Sequence, residues 1–421
     1  MRQALPIPRG PSALAIASTA VAATVLGLLM VRSPVLAGLG LGALAVGVAM
    51  TRFGLVALVV SCFGLLPWLV ILEGKLPGEV GTFTAAVAAG SLIVVAWPLR
   101  FESMAIPVAA FFWVAIVLGH AIFATDFEAL IQACKYMVFP AMALAVTSES
   151  GRQIAAELKW PVLGSGLAAM AFHLGIVAAG LGASSTYYGA GEKLGFAAEG
   201  PHALALMSMI VATAGLTAPR LRERFAFFGL GAVATTLSGV RSALLGLVVA
   251  LAVYLWRAPR KAQAVAVLAV VAAIAVATGA LDVVGSRLES HSQEFSSFSS
   301  AGSGRGEIWT VAFNAWDAAG PSAWAFGTGL RSIPDFELRA LGSELVGHSD
   351  IVEVLVQIGF FAFCAWIAIW VGLLRARLQP LVLVPIAVFG VVNGSLEYVA
   401  PLTAGIFLAA ACADRPTRGG T

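Results

Sequence analysis

Long apolar runs separated by short polar connections make up most of this chain, and one long polar stretch interrupts them. From 281 to 349, 69 residues, the sequence turns polar and carries Arg287, Arg305, Arg331, Arg339 and His348. A helix needs about 20 mostly apolar residues to cross a bilayer. By that criterion the runs at 11–31, 34–50, 53–72, 80–99, 104–123, 130–147, 160–181, 203–217, 225–237, 242–256, 264–281, 351–374, 380–392 and 400–411 are candidate spans. Several are short. The pair 225–237 and 242–256 reads either as two spans or as one broken helix, so twelve to fourteen transmembrane helices are expected.

The long polar stretch has a pattern of its own. Its first part, 281–303, reads as irregular or partly helical. A helix is expected over 307–319, where Trp309, Phe313 and Trp316 fall at i, i+4 and i+7 and share one face. Gly320-Pro321 stops it. That aromatic face suits packing on the bundle or the headgroup layer, with a sugar-stacking platform as the alternative. The segment 324–342 reads as a connection containing Gly327, Gly329 and Pro334, and His348 stands where the next span begins. A second polar, Gly-rich segment, 182–202, lies on the same side and suits a cover for the long loop.

Composition agrees with the pattern. Hydrophobic residues are 60% and charged residues 11%, against about 25% charged in soluble domains, and mean hydropathy is +0.93. The expected fold is an all-α polytopic membrane helical bundle, one domain over 1–421. A net charge of +3 indicates no polyanion-binding surface. Cys62, Cys134, Cys364 and Cys412 lie in apolar runs without metal-ligand spacing, so buried thiols are expected rather than a disulfide framework or a zinc site. With a cytoplasmic N-terminus, the inside segments hold 16 basic residues and the outside segments 8, with Lys135 inside a span. That excess satisfies the positive-inside rule and puts the loop 281–349 outside the cytoplasm. The first apolar run is long and lacks a clear cleavage site, which suits an uncleaved anchor better than a signal peptide.

Three residues carry candidate chemistry. Arg241, in LSGVRSALLG, starts a span, where an arginine is often only a snorkelling anchor. Arg305, in SGRGEIW, is flanked by glycines that let a ligand approach, although a solvated loop arginine has the same look. His348, in VGHSDIVEVLVQIGF, sits at the membrane boundary with a ring suited to proton transfer. Together they suit an anionic lipid. Guanidinium groups bind phosphate oxygens in a bidentate manner, and fixed positive charge stabilises a departing diphosphate. The outer loops contain no Asp-x-Asp pair, and the chemistry calls for no metal.

In order, the chain carries LSGVRSALLGLVVAL, SGRGEIWTVAFNAW, PSAWAFGTGL and GHSDIVEVLVQIGFFAF. This order resembles the O-antigen ligase and Wzy-type polysaccharide polymerase superfamily, over roughly 182–365. Ligases of that family show His, then Asn, Ser or Gln, nine residues, Gly, two residues, then Gly, Thr or Tyr. Here His348, Ser349, Gly359, Phe360 and Phe361 fit, and Ala362 departs.

The resemblance implies an inverting, metal-independent glycosyltransferase of the GT-C type in the bacterial inner membrane, without a cofactor. It implies an undecaprenyl-diphosphate-linked glycan donor on the periplasmic side, and either a second glycan or lipid A–core as acceptor. Arg241 and Arg305 would bind the donor diphosphate, and His348 would orient or deprotonate the acceptor hydroxyl. Arg287, Arg331 and Arg339 are further candidates for substrate binding, and His202, in AEGPHALA, for the glycan pocket. The departure at Ala362 favours a polymerase of O-antigen or exopolysaccharide over a ligase. Other assembly proteins are conceivable partners. A lipid or polysaccharide transporter and a glycan-binding assembly factor remain as alternatives from other classes. Intramembrane charge argues against transport, since only Lys135 is clearly inside a span, with Glu397 near an outer end.

Overall fold

The computed structural model describes residues 54–72, 79–124, 126–179, 183–186, 192–195, 201–257, 265, 269, 301–342 and 347–413. The candidate spans 11–31, 34–50 and 264–281, and Arg287, lie outside these residues. In chain order the helices are α1 (Leu55–Ile71), α2 (Val80–Ala96), α3 (Ala105–Ile122), α4 (Phe127–Thr147), α5 (Glu149–Ala178), α6 (Pro201–Gly215), α7 (Leu221–Ser238) and α8 (Arg241–Arg257). Three outer helices follow, α9 (Ala301–Ala318), α10 (Pro321–Phe326) and α11 (Ser332–Leu341). The chain then forms α12 (Asp350–Arg375), α13 (Pro380–Asn393) and α14 (Val399–Ala411). The fold is an all-α polytopic membrane bundle. Helices α3, α4, α5 and α12 are long and apolar enough to cross a bilayer by themselves.

Local signals set most helix ends. The Asp126 carboxylate accepts from the Ala129 N–H to start α4, and the Ser148 hydroxyl accepts from the Gly151 N–H to start α5. That second cap moves the start of α5 back over the polar residues 149–159, which were expected as a connection. Gly239, at φ 66°, ends α7 in the left-handed region, so 225–237 and 242–256 belong to two helices. Segment 182–202 was expected only as a polar loop. It contains a hairpin in which strands Ala183–Thr186 and Glu192–Gly195 pair antiparallel, Ala183 opposite Gly195.

The centre of the bundle is α6 and α14. Every residue of α14 is buried, and so is every residue of α6 except the half-buried His202. A helix that is apolar all round suits the interior of a bundle as well as a lipid-facing position, and these two take the interior. Helices α1, α2, α4, α5, α7, α8 and α13 enclose these two. Outward-facing side chains such as Val94, Phe111, Phe112 and Val248 are apolar and exposed, as the lipid-facing side of a membrane protein should be.

Two groups of connections mark the two ends. At one end the Glu149 N–H donates to the Arg100 carbonyl and Arg152 pairs with Glu102 at 2.6 Å. Lys159 donates to Thr217, and Gln379 to the Cys412 carbonyl. At the other end lie residues 79, 126–135, 201–202, 239–241, 393–398 and the outer helices. This matches the alternation expected from the basic residues.

The outer helices are an ordered layer with a small core of Ala312, Ile333, Val352 and Val356. Trp309, Phe313, Trp316 and Phe336 pack against it. The aromatic stripe of α9 is thus a packing face, and the sugar-platform reading is set aside. Trp309 donates to the Gly347 carbonyl at 2.7 Å, and Trp316 to the Ala323 carbonyl at 2.8 Å. Segment 324–342, expected as a connection, holds the second half of α10 and all of α11. Helix α9 begins at Ala301, earlier than expected, so Arg305 stands on a helix rather than in a loop.

A wide π-helical turn, Val354–Ile358, inside α12 locks this layer to the bundle. It leaves the Val356 carbonyl to accept from the Thr328 N–H at 2.8 Å and the Gln357 carbonyl to accept from the Gly329 N–H at 3.1 Å. Gly359 closes the turn at φ 85° and faces Gly327 at φ 88°. A Cβ on Gly359 would run into the Gly327 nitrogen and the Ala325 carbonyl, and one on Gly327 into the Gln357 carbonyl. The glycine of the His-x-Gly pattern and that of PSAWAFGTGL are therefore two sides of one backbone contact.

Gly359→Ala or Gly327→Ala should each destabilise the protein by about 3 kcal/mol or more, because the new methyl meets backbone and a positive φ is strained without glycine. Gly90→Ala, in a helix with open space at its Cα, should be neutral or slightly stabilising. Thermal unfolding of the three variants in one detergent checks this.

Candidate functional site

The site is organised by a buried carboxylate. Asp350, the first residue of α12, is 0% exposed. It accepts from the Ser395 N–H at 2.6 Å, the Ser395 hydroxyl at 2.5 Å and the Leu396 N–H at 2.9 Å. These bonds hold the turn between α13 and α14. The Ser349 hydroxyl adds a bond to the Val391 carbonyl at 2.8 Å. Gly390 makes room, since a Cβ there would run into the Asp350 carboxylate.

The turn presents Asn393, Glu397 and Tyr398. Arg305 reaches it from α9, donating to the Val392 carbonyl at 2.7 Å and to the Asn393 side-chain oxygen. The Asn393 amide meets His202 Nδ1 at 3.1 Å. The His202 ring stacks on Tyr398, with centroids 6.1 Å apart, and lies 6.0 Å from the His348 ring. His348 itself has φ 48°, a strained value for a residue with a side chain. Arg305, His202 and His348 therefore converge around Asn393. Arg241 stands exposed at the start of α8, at the same end of the bundle. Gly246, roughly one and a half turns along α8 from Arg241, packs closely on Met209 and the Pro385 carbonyl.

Beside this cluster lies a polar cleft of about 190 Å³ lined by Glu128, Gln132, Lys135, Arg331, Gly347, Glu353, Gln357 and Glu397, among others. Lys135 lies inside a span, as expected, and it does not stand there as an isolated charge. It pairs with Glu79 at 3.3 Å and Glu397 at 3.4 Å. Gln132 donates to Glu397 at 2.6 Å, and Gln357 donates to the Tyr136 hydroxyl at 3.0 Å. Arg331 lines the cleft with φ 65°, its backbone N–H donating to the Gln357 side chain.

Arg339 does not join these groups. It is exposed, donates to the Asp335 carbonyl of its own helix, and lies 5.3 Å over the Phe336 ring. Reading the sequence alone missed Asp350, Glu353, Gln357, Asn393 and Tyr398. A signal was present. Asp350, Glu353 and Gln357 recur at i, i+3 and i+7 in an otherwise apolar span, and polar groups in a span face its protein-lined side. Gln132, Lys135 and Tyr136 form the facing stripe on α4.

Residues 226–367 match the family model described as O-antigen ligase. The match spans Arg241, Arg305 and His348, and it bears out the resemblance to the O-antigen ligase and Wzy-type polymerase superfamily. It supports a function within that class of enzymes. No curated protein matches the chain in sequence. His202, Asn393, Glu397 and Tyr398 lie outside the matched segment, yet the fold brings them against it.

One titratable group of the outer layer is unusual. Glu337, on α11, is 0% exposed, and neither carboxylate oxygen has a hydrogen-bond partner. Burial raises its pKa from 4.5 to about 7. A raised folded-state pKa means that the protonated form is the one the fold accommodates. The resulting stability is complete below about pH 4.5 and is lost as pH rises through about 7. The outer layer should be more stable at pH 5 than at pH 8, by on the order of 2–3 kcal/mol. Hydrogen exchange over 301–342 measures this, and Glu337→Gln should abolish the difference.

Proposed function

We propose that this protein is a membrane glycosyltransferase of surface-polysaccharide assembly, and that it transfers an undecaprenyl-diphosphate-linked glycan to a saccharide acceptor. The observation that carries this reading is the convergence of Arg305, His202 and His348 on Asn393 at one end of the bundle, within and beside the matched segment. The excess of basic residues at the opposite end supports a periplasmic position for this end in the bacterial inner membrane.

In the proposed reaction Arg305 and Arg241 bind the donor diphosphate. Arg305 is suited to the role because the Val392 carbonyl and Asn393 fix its guanidinium before substrate arrives. His348 faces the glycan side of the diphosphate and orients or deprotonates the acceptor hydroxyl. The hydroxyl oxygen forms a bond to the anomeric carbon from the face opposite the diphosphate, and its proton passes to His348 or, where His348 only orients the hydroxyl, to water. The bond from that carbon to the diphosphate oxygen breaks, and its electron pair leaves with undecaprenyl diphosphate. The configuration at the sugar inverts. Guanidinium charge stabilises the leaving group, so the step needs no metal ion. His202, stacked on Tyr398, is placed to border the glycan.

The acceptor is either a second lipid-linked repeat, which makes the enzyme a polymerase of O-antigen or exopolysaccharide, or lipid A–core, which makes it a ligase. Ala362, where the ligase pattern has Gly, Thr or Tyr, favours the polymerase. The description of the matching family favours the ligase.

Purified protein incubated with an undecaprenyl-diphosphate repeat unit separates these readings. A ladder of longer lipid-linked glycans without added core identifies a polymerase, and product formed only with core identifies a ligase. Arg305→Ala and His348→Ala should each lower turnover at least 100-fold, about 3 kcal/mol of transition-state stabilisation. Absence of product from wild type with an authentic donor, or wild-type turnover in both variants, overturns the assignment.

A further inference from the structure

The cleft beside His348 holds a group that the transfer scheme leaves unused. Glu353 is 1% exposed, no N–H or hydroxyl donor of the described residues reaches either of its carboxylate oxygens, its neighbour is another carboxyl, Glu397, and it lines the cavity of about 190 Å³. A buried carboxyl without such a donor is costly, and it is tolerated where a ligand or water completes it. Lys135 does not answer it fully, because that ammonium already pairs with Glu79 and Glu397.

The position of Glu353 ties the cavity to the candidate site. A Cβ placed on Gly347 would lie 3.5 Å from Glu353 Oε1, and one placed on Gly394 would lie 3.6 Å from it. These two glycines adjoin His348 and Asn393. The carboxyl thus lies directly behind the residues that gather around Arg305.

The lining is selective. Glu128, Glu353 and Glu397 face Lys135 and Arg331, with carboxamides from Gln132 and Gln357 between them. Carboxyl and carboxamide oxygens accept hydrogen bonds from hydroxyls, and the lysine, arginine and amide N–H groups donate to them. The excess of carboxylates disfavours phosphate. The volume has room for several waters or one sugar ring.

We propose that this cleft is a second substrate subsite, which takes a neutral sugar ring of the acceptor through its hydroxyls, with Glu353 as the inner hydroxyl-binding residue and Glu128 at the mouth. The proposal rests on the glycosyltransferase reading and adds the separate place where the acceptor sugar is held. Donor diphosphate and acceptor sugar are then sorted by charge. The arginine end takes the anion, and the carboxylate cleft takes the polyol.

The test uses two probes on the full-length protein, undecaprenyl diphosphate and the free repeat-unit oligosaccharide without lipid. Glu353→Ala and Glu128→Ala should each weaken oligosaccharide binding at least tenfold and leave undecaprenyl diphosphate binding within twofold. Arg305→Ala should do the reverse. Glu128 is exposed, so its variant folds even if the loss of Glu353 perturbs the bundle, and Glu353→Gln, close in shape, should bind better than Glu353→Ala. Wild-type oligosaccharide affinity in both alanine variants overturns the subsite, as does a wild type that does not bind the oligosaccharide, or a loss of diphosphate binding in the glutamate variants. Turnover of the lipid-linked repeat by wild type is scored in parallel. If wild type binds the oligosaccharide in the cleft but makes no product, the transfer reading falls and the subsite stands. If wild type makes product and the glutamate variants match it, only the subsite falls.

Discussion

The Asp350 carboxylate is the constraint on which the rest of the site depends. It is fully buried at the membrane boundary and accepts three hydrogen bonds from a single turn, Ser395–Leu396. In a low-dielectric setting a bond to an ionised acceptor is strong, and an unmet one is expensive. The turn therefore has one favourable position. That position sets Asn393 under Arg305 and Tyr398 under His202, and it sets Glu397 against Lys135. His348, two residues before Asp350, is carried to the same place. One carboxylate thus joins the end of α13, the start of α14, the start of α12 and the helix that carries Arg305.

A second constraint acts at the level of the layer. The π turn in α12 and the Gly327–Gly359 contact join the outer helices to the bundle backbone to backbone, with added bonds from the Thr328 hydroxyl and to the Gln357 side chain. A backbone contact of this kind fixes distance more tightly than side-chain packing does, because no rotamer can relax it. Arg305 stands on a helix of that layer, so its reach towards Asn393 depends on this joint. The layer is also small in core, with four buried apolar residues and a ring of partly buried aromatics. Its order rests on the joint and on the two tryptophan hydrogen bonds as much as on burial.

Much of the fold was legible in the sequence, and for a simple reason. A bilayer imposes a length and a polarity on every span, so apolar runs report helices directly. The runs that became α1 to α8 and α12 to α14 were read within a few residues. The exceptions were caps and turns, as at Ser148, where one hydroxyl moved a helix start by about three turns. The outer layer was less legible. Gly327, Gly329 and Pro334 look like loop residues, yet they punctuate two short helices. The candidate site was legible in part. Arg305 and His348 sit in motifs that repeat a known order, and the fold brings both to Asn393 and His202, whereas Arg339 lies apart on its own helix. Glu397 was placed near an outer end, but its pairing with Lys135 and the role of Asn393 were not legible, because both come from a turn far along the chain that is held by Asp350. The polar stripe Asp350–Glu353–Gln357 was visible as a pattern, but its partner stripe on α4 is known only once the helices are packed.

The most direct test of this account is an experimental structure of the protein with undecaprenyl diphosphate bound. The account expects the diphosphate beside Arg305, above Asn393 and within reach of Arg241, with the lipid tail leaving between lipid-facing helices and His348 free on the glycan side. Diphosphate seated on Lys135 and Arg331 in the carboxylate cleft, or at the opposite end of the bundle near Arg152 and Lys159, would contradict it.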